Sequence, residues 1–212
     1  MYTYLNKLVS RHQTLSDCAP QIEKAISLII DCYRQGGKVM TCGNGGSASD
    51  SAHIVGELMK GFLSLRPLSA EWREKLECLE GESLAAKLQS GLPAVDLTAM
   101  SALFTAVAND MGAEYGYAQQ AFTLANEGDI VIGISTSGNA QNVHNAAIAA
   151  KAKSAKLIGL TGKGGGRMVQ SGIYDVIISV PERETYLIQE DHLAIYHAIC
   201  ADVEEVFFGP TA

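Results

Sequence analysis

The sequence has few cysteines, and none of them has a metal-binding or redox spacing. The five cysteines are odd in number and widely separated, with no C-x-x-C pair: Cys18, Cys32, Cys42, Cys78 and Cys200. A disulfide-stabilised small protein needs paired cysteines, and a zinc ribbon needs C-x-x-C pairs. The cysteine pattern excludes both classes and predicts a reduced, cytoplasmic protein.

Long hydrophobic runs are also missing. No stretch approaches the roughly 18 apolar residues of a membrane-spanning helix, and the opening residues MYTYLNKLVSRH contain no signal-peptide core. We therefore expect no membrane association and a protein that stays inside the cell.

Positive charge is scarce. Sixteen Lys and Arg stand against 23 Asp and Glu, which gives a formal net charge of −7. An anionic surface without a basic patch repels the nucleic-acid backbone, so no nucleic-acid partner is expected. A small phosphorylated ligand remains compatible with this charge, because helix N-termini and hydroxyls can bind phosphate without Lys or Arg.

The chain has the composition of one globular domain. Its 212 residues are 47% hydrophobic and 18% charged, which is enough apolar surface for a proper core. Short apolar segments rich in β-branched residues alternate with helical ones, as in a buried parallel sheet. These strand-like segments are 38–42, 93–97, 129–135, 156–161 and 175–180.

The alternation predicts an α/β fold, doubly wound and flavodoxin-like, in which five parallel strands lie between two layers of helices. Helices over about 1–36 precede the sheet, and a long helix over about 187–207 follows it. Residues 63–92 interrupt the strand–helix rhythm and carry apolar residues separated by charges and broken at Gly81. They predict an inserted helical hairpin or lid within a single domain over 1–212.

Three turns rich in glycine and hydroxyls follow predicted strands. They are C-G-N-G-G-S-A-S at 42–49, I-S-T-S-G-N at 134–139 and T-G-K-G-G-G at 161–166. One such turn is ordinary in any α/β protein, but several at one sheet edge favour an anion pocket, to which Ser47 could add a hydroxyl. Because the P-loop and dinucleotide-binding spacings are absent, a phosphorylated sugar is favoured over a nucleotide.

Four residues are candidate cation ligands or proton carriers. His53 and Glu57 are four residues apart and share a helix face, and Gln189 and His197 lie on the predicted last helix. Spacing alone leaves two interpretations open, a cation site and an ordinary surface or capping pair.

A carboxylate beside a phosphate pocket can act as a general base, and a histidine can shuttle the proton near neutral pH. That pairing suits proton abstraction next to a carbonyl. The other histidines are poorer candidates: His12 on the leading helix, His144 after the second loop, and His192, which flanks the site.

Six ordered motifs together resemble a known family. They are C-G-N-G-G-S at 42–47, A-H-x-x-x-E at 52–57, A-N-D at 108–110, G-I-S-T-S-G-N at 133–139, L-T-G-K-x-G-G at 160–166 and I-Q-E-x-H-x-x-x-x-H at 188–197. The set resembles the sedoheptulose-7-phosphate isomerases, the phosphoheptose isomerases of the sugar isomerase (SIS) domain superfamily. The resemblance extends over nearly the whole chain except 63–92.

The resemblance implies a single SIS domain, a homotetramer with active sites shared between subunits, and one zinc ion per subunit. It implies conversion of D-sedoheptulose 7-phosphate to D-glycero-D-manno-heptose 7-phosphate through an enediolate, for bacterial lipopolysaccharide, capsule or other glycans. Glu57 matches the catalytic base and His197 its acid partner. The matching zinc ligands are His53, Glu57, Gln189 and His197. The matching substrate-binding residues are Asn44, Gly45, Gly46, Ser47, Glu57, Asn109, Asp110, Ser135, Thr136, Ser137 and Gln189.

The sequence departs from the family pattern at two places. Ala140 stands where relatives usually have a further phosphate-binding serine, and Tyr186-Leu187-Ile188 stands where they often have Asp-Arg-Ile. Two alternatives therefore remain open: an isomerase of another phosphosugar, and a non-catalytic SIS module that binds a phosphosugar or a replication initiator. Glu57 and His197 favour the enzyme, because an adaptor needs no acid–base pair.

Overall fold

A computed structural model describes residues 2–209 and contains one five-stranded parallel sheet with the strand order β2-β1-β3-β4-β5. This order confirms the predicted flavodoxin-like α/β fold. The strands are β1 Val39–Cys42, β2 Ala94–Asp96, β3 Ile130–Ile134, β4 Lys156–Thr161 and β5 Val176–Ser179.

Helices cover both faces of the sheet and form the outer layers. Two short 3₁₀ segments, Gln13–Cys18 and Ala113–Tyr115, accompany them. The helices are α1 Thr3–Arg11, α2 Ala19–Arg34, α3 Gly46–Met59, α4 Ala70–Glu77, α5 Glu82–Lys87, α6 Ser101–Asp110, α7 Gly116–Leu124, α8 Gln141–Ala152, α9 Gly166–Gln170 and α10 Thr185–Phe208. None of the helices in residues 2–209 combines the length and the apolar character needed to cross a bilayer.

The two-residue period of a strand explains why the core has two halves. Along β3, Ile130, Ile132 and Ile134 point to the half that packs against α2 and α10. Val131 points to the opposite half, where it packs with residues of α7 and α8. Every residue of β3 is therefore buried, which is why the strand is apolar throughout rather than alternating.

Helix α10 is buried continuously from Ala198 to Glu204, and this part of it anchors α1. Asp202 on this helix accepts hydrogen bonds from the backbone N–H groups of Tyr4 and Leu5, both at 2.8 Å. These N–H groups lie in the first turn of α1, where a helix has no internal acceptors for its donors. A carboxylate at that position therefore caps α1 and fixes it to α10.

The segment 63–92 contains the two helices α4 and α5, and Gly81 lies directly before the second. Its ends are joined by an isolated bridge between Pro67 and Gln89. None of the residues of α4 is buried, and Trp72 and Leu79 are exposed. The segment is therefore a hairpin attached at its base and packed little against the domain.

Candidate active site

The predicted glycine-rich turns meet at the carboxyl edge of the sheet. The turns after β3 and β4 are joined by backbone hydrogen bonds from Gly162 N–H to the Thr136 carbonyl at 3.0 Å and from Met168 N–H to the Gly138 carbonyl at 2.9 Å. Gly138 has φ +67°, and a Cβ there would collide with the carbonyl of Gly165. Glycine is required at this point so that the two turns can approach each other.

A pair of carboxamides joins the turn after β1 to the start of α8. Asn44 and Asn142 exchange two hydrogen bonds, at 2.9 and 2.8 Å between Nδ2 and Oδ1 atoms. Asn142 is absent from the predicted site residues. The sequence signal that would have pointed to it is its place in the first turn of α8, directly after a predicted hydroxyl-rich turn.

The predicted phosphate-binding hydroxyls lie in these turns. Ser47 is buried in the first turn of α3, and Ser135 is buried after β3. The Oγ of Ser137 accepts a hydrogen bond from Asn139 N–H at 3.2 Å. Ala140 precedes α8 at the capping position and makes no side-chain bond to the helix. An alanine at this position therefore supplies neither a helix cap nor a hydroxyl to this edge.

Helix α10 lies beside α3 and runs in the same direction. Near the start of both helices, a Cβ on Gly46 would collide with the carboxamide of Gln189. About two turns further along, His53 on α3 meets Tyr196 and His197 on α10. This packing brings together residues that are 144 positions apart in the sequence.

His53 is the centre of a cluster of polar side chains between these helices. Its Nε2 lies 3.0 Å from Glu57 Oε1 and 3.4 Å from His197 Nε2. Its Nδ1 lies 3.0 Å from the hydroxyl of Tyr196, which is 3.3 Å from Asp50 Oδ1. The His53 ring is partly accessible, at 41%, whereas the Glu57 side chain is 14% accessible.

Burial shifts the pKa values of three side chains in and beside this cluster, those of His197, Asp50 and Tyr196. Burial, followed by the nearby His53, lowers the pKa of His197 despite the opposing effect of Glu57. Burial raises the pKa of Asp50, and it also raises the pKa of Tyr196, where Asp50 adds to the effect. His197 is therefore neutral near pH 7, so one ring nitrogen can donate a proton and the other can accept one.

Tyr196 and Asp50 are functional candidates that sequence reasoning missed. Asp50, His53 and Glu57 have helical spacing i, i+3 and i+7, so they share one face of α3. That spacing could have identified Asp50 from the sequence as a candidate site residue. Tyr196 is adjacent to His197 in sequence, but its contact with His53 depends on how α10 packs, which the spacing does not reveal.

The donor types of the cluster suit a zinc ion. Two imidazoles and a carboxylate are typical zinc ligands, and Glu57 Oε2 is buried without a hydrogen-bond partner. Within residues 2–209, however, no group of three or more His, Cys, Asp or Glu side chains is already placed to hold a metal ion.

Other predicted residues are not joined to the cluster. At the exposed end of α6, Asn109 Nδ2 donates to Asp110 Oδ1 at 2.8 Å, and neither hydrogen-bonds to α3 or α10 within the part of the chain that is described. Gln189 lies against Gly46, about two helical turns before His197 on α10. His192 is fully buried, and burial lowers its pKa to about 4.

On its other side, His197 faces a cavity of about 480 Å³ between α1 and α10. The wall of this cavity is largely apolar, with two basic side chains and His12 on the α1 side. The residues that line it include Tyr4, Lys7, Leu8, Arg11, His12, Phe62, Leu63, Leu193 and Ala194.

Comparison with known proteins identifies the family. An SIS domain model matches residues 89–201, and a second SIS domain model matches residues 3–72. The chain is 39% identical to the phosphoheptose isomerase of Rhodospirillum rubrum, with 90% of this chain and 88% of that protein aligned. The chain belongs to the phosphoheptose isomerase family. The Burkholderia pseudomallei K96243 phosphoheptose isomerase is also 39% identical, over 89% of this chain and 83% of that protein.

Solved structures of this family agree with the fold. The phosphoheptose isomerase of Francisella tularensis is 31% identical with a TM-score of 0.74, covering 96% of this chain and 99% of that one. The Neisseria gonorrhoeae enzyme is 29% identical with a TM-score of 0.72, covering 95% and 91%. The predicted family and aldose–ketose isomerase class are confirmed, and the non-catalytic alternative loses its support.

Replacing Tyr196 with Phe should lower kcat without unfolding the protein. The change removes the hydroxyl that contacts His53 Nδ1 and Asp50 but keeps the packed ring. Loss of such an orienting partner typically costs about 10- to 100-fold in activity. We expect kcat to fall about tenfold, measured as aldose formation from sedoheptulose 7-phosphate.

Tyr33→Phe is the matched control, because the buried hydroxyl of Tyr33 has no hydrogen-bond partner within residues 2–209 and so makes no bond to His53, Glu57 or His197. It should leave kcat within twofold of the wild type. Equal kcat values for the two variants would contradict a role for the Tyr196 hydroxyl.

Proposed function

We propose that the His53–Glu57–His197 cluster interconverts D-sedoheptulose 7-phosphate and D-glycero-D-manno-heptose 7-phosphate. The observation that carries this proposal is that the Glu57 carboxylate and the His197 imidazole lie 3.0 and 3.4 Å from His53 Nε2, on helices that begin at the hydroxyl-rich sheet edge. Such a cluster supplies the base and the proton carrier that an aldose–ketose isomerisation needs.

The sheet edge would hold the phosphate of the sugar. Ser47, Ser135, Thr136 and Ser137 offer hydroxyls, and α3 begins at this edge without a side-chain cap, so the positive end of its dipole faces the edge. The other proposed substrate contacts come from the turn after β1, the end of α6 and the start of α10, namely Asn44, Gly45, Gly46, Asn109, Asp110 and Gln189. Because Asn109 and Asp110 stand apart from the cluster, the sugar or a second subunit must bridge that distance.

The proposed reaction moves one proton between neighbouring carbons. Glu57 removes a proton from C1 of the ketose, and the electron pair forms the C1–C2 double bond while the C2 oxygen takes a proton from His197. His197 then accepts the proton of the C1 hydroxyl, and the proton held by Glu57 returns to C2. The result is an aldehyde at C1, with the number of protons unchanged.

Glu57→Gln should abolish turnover and preserve binding. Glutamine keeps the shape of the side chain but cannot accept the proton, and loss of a general base typically lowers the rate by about 10² to 10⁴-fold. Turnover is measured as aldose formation, and affinity by calorimetry with sedoheptulose 7-phosphate. Glu23→Gln, the same change on an exposed face of α2, is the control and should match the wild type. A wild-type kcat in Glu57→Gln would exclude Glu57 as the base.

We also propose that the enzyme binds one zinc ion per subunit through His53, Glu57, Gln189 and His197. The donor set supports this proposal, as does the unpartnered buried Oε2 of Glu57. When bound, zinc would act as a Lewis acid on the sugar oxygens. Gln189 lies toward the start of α10, so its carboxamide would have to turn toward His53 to join the other donors.

His53→Ala should lose metal and activity together. We expect about one zinc per subunit in the wild type and much less than that in the variant, measured by elemental analysis of dialysed protein. His12→Ala, which removes an imidazole outside the cluster, should retain both metal and activity. Full activity after chelation, with zinc absent by elemental analysis, would exclude a required metal and leave the Glu57–His197 proton transfer intact.

A homotetramer with sites shared between subunits is the third part of the proposal. The open, largely apolar cavity beside His197 supports it, since a second copy of the chain would cover Leu63 and Leu193, which are 53% and 40% exposed. We expect a tetramer by light scattering, and we expect Leu193→Glu to dissociate it and lower activity. Ile148→Glu, at an exposed apolar residue on α8, is the control. A fully active monomer would exclude shared sites.

The cellular role follows from the same resemblance. We propose a cytoplasmic enzyme that supplies heptose for lipopolysaccharide, capsule or other glycans. The substitutions at Ala140 and Tyr186 keep an isomerase of another phosphosugar as the second candidate, because they alter the ligand-facing turns. Turnover of a panel of ketose phosphates by the purified enzyme separates the two, since the preferred sugar will have the highest kcat/KM.

A further inference from the structure

Arg66 and Glu204 form a buried ion pair behind the proposed catalytic cluster. Their side chains are 0% and 2% accessible, and Arg66 Nε donates to Glu204 Oε1 at 2.8 Å. The guanidinium also stacks on the ring of Phe208, 4.6 Å from its centroid. Moving two charges from water into the protein interior costs free energy, and a surface ion pair does not have this cost. The hydrogen bonds of the buried pair therefore indicate which parts of the chain it stabilises.

Arg66 caps the C-terminus of α3. Its Nη1 donates to the Leu58 carbonyl at 2.7 Å, and its Nη2 donates to the Glu57 carbonyl at 3.0 Å. The last four carbonyls of a helix have no N–H partner within that helix, and α3 ends at Met59. The guanidinium therefore fixes the backbone of the very turn that carries the Glu57 carboxylate.

Glu204 fixes the chain that leaves α3. Its carboxylate accepts hydrogen bonds from the N–H groups of Phe62, Leu63 and Ser64 at 2.8, 2.7 and 3.1 Å. Burial opposes ionisation of Glu204, but the N–H groups of Phe62 and Leu63 together with Arg66 lower its pKa below the ordinary value, so the carboxylate is charged. Glu204 lies seven residues after His197, which places both on one side of α10.

We propose that Arg66, held by Glu204, is a positioning residue for the isomerisation. The pair connects the last turn of α3, which carries Glu57, to α10, which carries His197. It keeps the Glu57 carboxylate in register with His53 and His197 while touching neither the sugar nor the reacting atoms. This inference rests on the proposed role of Glu57 as the base.

The test uses Glu204→Gln and Arg66→Lys in the full chain. Glutamine keeps the shape but loses the charge that orients Arg66, and lysine keeps a charge but cannot reach the two carbonyls and Glu204 together. A displacement of about 1 Å in a catalytic group can cost about 100-fold in rate. We therefore expect kcat for sedoheptulose 7-phosphate to fall tenfold or more in both variants, with KM within threefold of the wild type.

Asp202→Asn is the matched control. Asp202 is an equally buried carboxylate on the same helix that also accepts backbone N–H groups, but it fastens α1 rather than α3. We expect it to lower the midpoint of thermal unfolding to a similar degree while kcat stays within twofold of the wild type. If the Arg66–Glu204 pair only stabilised the fold, Asp202→Asn and the test variants would lose kcat equally when they lose stability equally.

Three results would overturn the proposal: wild-type kcat in Glu204→Gln or Arg66→Lys, a loss expressed in KM alone, or a kcat loss matched by Asp202→Asn. Failure of both test variants to fold would also overturn it, because the pair would then support the whole domain rather than one turn. Glu57→Gln is assayed in parallel. Retained turnover in that variant would refute the proposed base itself, whereas an inactive Glu57→Gln beside unaffected test variants would refute only the positioning role.

Discussion

The side-by-side packing of α10 on α3 is the constraint on which the candidate site depends. Contacts at three levels fix the register of the two helices: Gln189 against Gly46, His197 against His53, and Glu204 against the chain that follows α3. Each of these contacts involves either a side chain proposed to take part in the reaction or a hydrogen bond that positions such a side chain. A shift of one turn, about 5.4 Å, would separate His197 from His53.

Two buried carboxylates on α10 explain how this helix is held in position. Asp202 and Glu204 are two residues apart, which is about 200° around a helix, so they point to opposite sides. Asp202 captures the start of α1, and Glu204 captures the end of α3 with Arg66. Apolar packing buries α10, but it is the directional bonds of these carboxylates that select one rotation and one register.

The fold was predictable from sequence because its signals are local. Short segments with β-branched residues on both faces marked the five strands. The glycine-rich turns and the i,i+4 spacing of His53 and Glu57 were local signals as well. Sequence patterns did not identify Tyr196, Asn142 and Arg66. Their contacts depend on which elements pack together, and residue spacing within one element does not determine that packing.

The same distinction applies to the proposed zinc ligands and the proposed sugar contacts. Motif resemblance nominated Gln189 beside His197, yet in the structure Gln189 packs on Gly46, about two turns away along α10. It nominated Asn109 and Asp110, which hydrogen-bond to each other at the exposed end of α6. A motif identifies which residues a family has in common, whereas their positions relative to one another depend on how the elements that carry them pack.

The hairpin of α4 and α5 is accommodated because it enters where the domain is already closed. Gly61 N–H bonds to Gln89 Oε1, and Ser90 N–H bonds to the Arg66 carbonyl, so the two ends of the insertion meet beside the buried ion pair. The segment then leads into β2, which is an edge strand of the sheet. Loop-closure entropy grows only slowly with length, so a long insertion between joined ends costs the domain little. The contacts at its base also explain why the hairpin can extend away from the core without loosening the turn that carries Glu57.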